Sequence, residues 1–186
     1  MYVLKTRPCF MQAWGQPENT PAIVRQLEDR DPSRLVMGAT GWSIKGSQRA
    51  GSFFDIHDYN ATGPHMPPKN ITGNDTIATV GEMGSIGLQI PGHLPTPGRF
   101  YTPNITVHDA GEWLTAYAIM IKTMLPQIGD PDIALSSVVY TEWTDVAFDV
   151  TGLLTYDREV MKVEPAKVAR AHRSLYNAMP ARGRST

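Results

Sequence analysis

The pairs His57-Asp58 and His108-Asp109 each set a carboxylate beside an imidazole, the combination from which acid–base pairs and metal corners are built. Their surroundings complete neither device. His57, His65, His93 and His108, four of five histidines, follow no ligand spacing such as a helical H-E-x-x-H. No strained strand-to-helix elbow offers a nucleophile, and the one cysteine, Cys9 between Pro8 and Phe10, reads as a small packed residue. Asp145 and Asp149 share a face of an alternating segment, where a strand would hold them about 13 Å apart, wider than the carboxylate pairs of glycosidases. The stretch GEMGSIG, from Gly81 to Gly87, fits neither G-x-G-x-x-G nor G-x-x-x-x-G-K-[ST], so its glycines read as a bulge or bend. Asn60, Asn70, Asn74 and Asn104 each open an N-x-[ST] triplet and read as turn and strand-edge residues. No catalytic, cofactor-binding or metal-ligating residue is assigned, and no cofactor is expected.

The elements that must carry these residues are legible in part. Residues 1–75 are rich in Gly, Pro, Asn and Ser and are expected to be mostly loop, with a short helix opening at Thr20-Pro21 and a short strand at Phe53, Phe54 and Ile56. Three later segments alternate with a period of two: Ile86, Leu88 and Ile90; Ile105 and Val107; Val146, Phe148 and Val150. Residues 135–142 add a fourth strand, and 152–163 a possible fifth. Asp109 with Glu112 forms a capping box for a helix bearing Trp113, Leu114, Tyr117, Ile121, Met124 and Leu125, which Pro126 and Gly129 should end. A second helix opens at Pro165 and carries Val168, Ala171, Leu175 and Ala178. The expected fold class is α+β and mainly β: an antiparallel β-sandwich or partial barrel flanked by a main helix near 110–125 and a C-terminal helix near 165–178. The expected organisation is one domain over 1–186, with a loop-rich half (1–75) and a β-α-β half (76–186).

The chain has 186 residues, 41% of them hydrophobic and 19% charged, with a net charge of -1, which gives no global drive toward nucleic acid or membrane. No apolar run approaches membrane-spanning length, and the N-terminus lacks the pattern of a secretory signal, so the reading is cytosolic. From Arg158 onward, Arg158, Lys162, Lys167, Arg170, Arg173, Arg182 and Arg184 face only Glu159 and Glu164, which reads as a solvated helix face and a frayed tail, with docking onto an acidic neighbour as the alternative.

Pro97-Gly98-Arg99, then Asn104-Ile105-Thr106-Val107 and the Trp113 helix, resembles the contractile-phage tail tube proteins and related injection-system tubes over residues 85–125. The segment TGLLTYDREVMKVEPAKVARAHRSLYNAM resembles the C-termini of some of them. The resemblance implies a virion structural protein without catalytic activity, a tail tube or adjacent tail, neck or baseplate component. It would form a homo-oligomer of stacked, usually hexameric rings, contact other virion tail proteins and let DNA pass without specific binding. It would reside in the virion, and in the host cytoplasm during assembly. On this reading the Asp145/Asp149 face lines a lumen, where acids repel passing phosphates. The alternatives are another virion or displayed protein, a decoration or glycoprotein, and a small enzyme using His57 or His108 beside an aspartate.

Overall fold

The structure, a computed structural model, describes residues 9–10, 19–38, 41, 50–95 and 105–179. Its elements in chain order are β1 (Cys9–Phe10), α1 (Thr20–Arg30), β2 (Val36–Met37), β3 (Phe53–Asp58), α2 (Lys69–Thr72), β4 (Ile77–Gly84), β5 (Ile86–Leu88), β6 (Ile105–Val107), α3 (Ala110–Gly129), β7 (Leu135–Thr141) and α4 (Pro165–Asn177). They fall into two compact units. The first comprises Met1–His57, Met66–Glu82 and Asp130–Val138; the second comprises Asp58–His65, Met83–Gly129 and Val139–Thr186.

In the first unit α1 begins one residue before the Thr20 cap and Pro21 start read from the sequence, with Asn19 as its cap residue and Thr20 as its first helical residue, and it buries Thr20 and Val24 beside β2. β1 pairs with β2 in parallel, Cys9 against Val36 and Phe10 against Met37. A three-stranded sheet has the order β3-β4-β7. Its strands share one direction: at their starts the Ile77 N–H donates to the Ser52 carbonyl at 2.9 Å, and at their ends the Ser85 N–H donates to Thr141 at 3.1 Å. Antiparallel neighbours would set starts against ends. β4 runs on into the second unit at Met83 and β7 at Val139.

The second unit is organised by α3. Trp113, Tyr117, Met120, Ile121 and Met124 are buried at helical spacing, each such side chain contributing about 1.5–3 kcal/mol. The helix packs against β5, β6 and α4. β5 and β6 pair in parallel, Ile86 against Ile105 through Leu88 against Val107. The capping box forms as read: Asp109 Oδ1 accepts from Gly111 and Glu112 N–H, and Glu112 Oε2 accepts from His108 N–H. α3 nevertheless continues through Pro126 to Gly129. Proline forfeits one hydrogen bond there, and the Gln127 amide ties the last turn to the Pro64 carbonyl at 2.8 Å.

The antiparallel sandwich is corrected. Helices and strands mix as expected, but the strands run parallel, and no closed barrel forms among the described residues. The period-two reading fails for β5 because Ile86, Gly87 and Leu88 are all buried. Strands covered on both faces lose the alternation that exposes an antiparallel sheet in sequence. Residues 145–150 form no strand: Val146 and Asp149 bridge across a tight reversal. Within 152–163 only the isolated bridges Thr144–Leu154 and Leu154–Met161 occur. No helix among the described residues is long and apolar enough to cross a membrane.

Candidate functional site

In the first unit β3 and β4 bring Asp55, His57 and Glu82 together toward the carboxyl ends of parallel strands. That is the end where open α/β sheets and α/β barrels place their binding and catalytic groups. Asp55 and His57 stand two apart on β3, hence on the same face. The His57 Nε2 atom lies 3.8 Å from Asp55 Oδ2, and Nδ1 lies 3.6 Å from Glu82 Oε2. These are ion-pair distances, longer than a hydrogen bond. The side chains of Asp55 and His57 are 0% and 3% exposed, while that of Glu82 is 26% exposed. The arrangement is a buried acid, a buried imidazole and a carboxylate that reaches solvent.

The backbone is shaped to hold it. The Gly41 N–H donates to Asp55 Oδ2 at 2.9 Å. A Cβ on Gly81 would stand 2.4–2.5 Å from both Asp55 oxygens, so only glycine lets β4 pass this close. Burial pushes the Asp55 carboxyl up to about 6, with the Gly41 N–H working the other way and the Glu82 charge adding to the rise. Burial also lowers the His57 pKa, against the pull of Glu82. Imidazole is thereby kept toward its neutral form, able to orient a neighbouring carboxylate without cancelling its charge.

The structure rearranges the pairings read from sequence. His57 meets Asp55 and Glu82, whereas Asp58 closes a turn by accepting from the N–H groups of Asn60 and His65 at 3.0 and 2.9 Å. His108 and Asp109 are spent on capping α3. Asn60 is a turn residue as read, its Oδ1 accepting from Thr62 N–H and Oγ1. Pro97-Gly98-Arg99, Asn104 and the side chain of Cys9 lie outside the described residues. Reading the glycines of GEMGSIG as a bulge or bend gives Glu82 no role. The signal available was Val80 and Glu82 on one face of a β-rich run, a carboxylate flanked by glycine where a strand ends.

In the second unit Asp145 is buried and ion-paired: Lys162 Nζ lies 2.6 Å from its Oδ1. That ends the lumen reading of the Asp145/Asp149 face, and it removes Lys162 from the solvated basic face. His93, Asp157 and Glu159 gather ligand atoms within 4.8 Å of one another. Asp157 is committed to turn closure, accepting from Thr155 Oγ1 at 2.6 Å and Glu159 N–H at 3.1 Å and meeting His93 Nδ1 at 2.8 Å. Those bonds, the Thr155 hydroxyl first, hold its carboxyl down to about 2.

No protein-family profile matches the sequence. No curated protein matches it either. Among solved structures the fold is similar to the agarase AgWH50C, with TM-score 0.57 and 16% identity over 87% of this chain and 26% of that one. It is also similar to PfGH50B (0.56, 15% identity, 86% and 23%) and to an exo-beta-agarase (0.53, 14% identity, 87% and 22%). The chain thus spans about a quarter of the length of these structures and shares its fold with a part of each. The tail-tube function read from the sequence is corrected by these neighbours, which include agarases. At 14–16% identity the likeness concerns the fold, and two of these neighbours are agarases.

Proposed function

We propose that this chain carries part of a glycoside-cleaving site in which Glu82 is the carboxylate that attacks the sugar. The reading rests on one observation: Glu82 is a part-exposed carboxylate at the carboxyl end of parallel strands, backed by the buried His57 and Asp55. The fold shared with agarases supports it at the level of architecture, which by itself assigns no chemistry. Cleavage of a glycosidic bond passes through a cation-like anomeric carbon, which a nearby carboxylate stabilises. In the retaining route that carboxylate bonds to the anomeric carbon as the leaving oxygen departs with a proton from a general acid, and water, giving a proton back to that group, later displaces the carboxylate. His57, 3.6 Å from Glu82 Oε2, limits how the carboxylate can swing, and Asp55 behind the ring fixes the ring. Both are positioning residues.

The test uses 2-deoxy-2-fluoro-β-galactosyl fluoride, with its glucosyl and mannosyl counterparts. Fluorine beside the anomeric centre slows the second step, and fluoride departs without a proton donor, so a nucleophile becomes covalently trapped. Intact mass spectrometry should show one added fluoroglycosyl group, mapped by peptide sequencing to Glu82 and absent from Glu82→Gln. No adduct with any donor, or an adduct on another residue, overturns the assignment.

A further inference from the structure

After β7 the chain enters a segment, 142–163, that is rigid inside and aromatic outside. Its interior is built around Lys162, whose ammonium donates to Asp145 Oδ1 at 2.6 Å, the Leu88 carbonyl at 2.8 Å and the Val150 carbonyl at 3.0 Å. All three donors of the ammonium are satisfied, by Leu88 of β5 and by both ends of the 145–150 reversal. Asp145 Oδ1 also accepts from the Gly152 N–H at 2.8 Å. Both charged side chains are 1% exposed, so the segment is pinned by a buried, fully bonded ion pair. On its outside stand Trp143, 65% exposed, and Phe148 and Tyr156. A large aromatic ring left in water on a pinned segment is the informative kind of exposure.

We infer that Trp143 is a stacking platform for a sugar ring of a neutral saccharide chain, an inference that rests on the glycoside reading above. The face of an indole is electron-rich and meets the C–H face of a pyranose as it meets the positive edge of another ring. Charge selects among the ligands an aromatic platform could take. Across 142–163 the charge is mostly acidic: Arg158 is one exposed cation against Glu142, Asp149, Asp157 and Glu159, and Lys162 is buried. A nucleic acid strand stacked here would lack the cations its phosphates require. Neutral hydroxyl groups suit the same surroundings, and the half-buried Glu142, next to Trp143 in sequence, offers a carboxylate that accepts from them.

The experiment is calorimetric titration of the full chain with agaro-, cello- and xylo-oligosaccharides and with a single-stranded oligonucleotide. The Glu82→Gln variant serves as the parent so that nothing is cleaved during titration. At least one oligosaccharide should bind, Trp143→Ala in that parent should weaken it tenfold or more, and Trp143→Phe should recover part of the loss. Circular dichroism and melting checks verify that both variants fold, as an exposed side chain allows. Equal affinity of parent and Trp143→Ala, no binding by any saccharide, or Trp143-dependent binding of the oligonucleotide alone each overturns the platform. The outcomes separate the two proposals: labelling of Glu82 with Trp143-independent binding leaves only the nucleophile standing. Trp143-dependent binding without a Glu82 label leaves only the platform.

Discussion

Asp55 has no exposed side-chain surface and carries a carboxyl pushed up to about 6 by burial, against 3.8 in an ordinary setting. The folded chain therefore holds this proton more tightly than the unfolded chain does. Asp55 adds stability in full below 3.8, loses it as pH rises through about 6, and adds nothing further above that. Asp55→Asn removes this titration while keeping an oxygen for the Gly41 N–H. The melting temperature of wild type minus that of Asp55→Asn should fall between pH 4 and 6 and then stay level. A change of about 1 kcal/mol in a chain of this size moves Tm by about 2–4 °C. A difference flat across the window, measured by differential scanning fluorimetry, would show that Asp55 titrates as if exposed. The side chains of this site were the least legible part of the sequence. Asp55 and His57 meet Glu82 across some 25 residues of chain, a juxtaposition that neighbour-to-neighbour pairs such as His57-Asp58 cannot reveal.

At the level of elements, legibility follows locality. The Asp109–Glu112 box, the Thr20-Pro21 start and the Trp113 stripe are settled by residues within a few positions of one another; the box forms, α1 opens within one residue of its reading, and Trp113, Tyr117, Ile121 and Met124 of the stripe are buried while Leu114 and Leu125 are only half-buried. Strand direction is settled between segments far apart, so β4 and the parallel order of β3-β4-β7 were not visible in the sequence. The turn 58–65 shows the same dependence on a distant partner. Thr123 Oγ1 donates to the Thr62 carbonyl at 2.5 Å, and Gly63, at φ +102°, lies so close to α3 that a Cβ would stand 2.9 Å from Met120 Cα. Gly63→Ala thus adds a backbone clash to a strained φ. Gly92 has a similar φ of +88° with nothing within 4 Å of its would-be Cβ, so Gly92→Ala reports strain alone. Gly63→Ala should be the more destabilising by about 1–2 kcal/mol in urea unfolding. Equal losses would mean that the turn yields to α3 without cost.

Across the whole molecule the two units cannot be cut apart as beads on a string. The chain crosses between them at 57–58, 65–66, 82–83, 129–130 and 138–139, and β4 and β7 each begin in one unit and end in the other. A strand cannot melt over half its length without exposing the unpaired backbone groups of the other half, which couples the units energetically. Thermal unfolding should therefore be one transition. Far-ultraviolet circular dichroism reports helices and strands of both units. The near-ultraviolet signal of described residues is dominated by the buried Trp113, stacked on Tyr117 at 4.9 Å and set edge-on to Tyr140 at 5.5 Å, all in the second unit. The two signals should give the same midpoint, and the calorimetric and van't Hoff enthalpies should agree. Separated midpoints would show that shared strands do not bind the units into one cooperative fold. A site on β3 and β4 could then be lost while the α3 core survived.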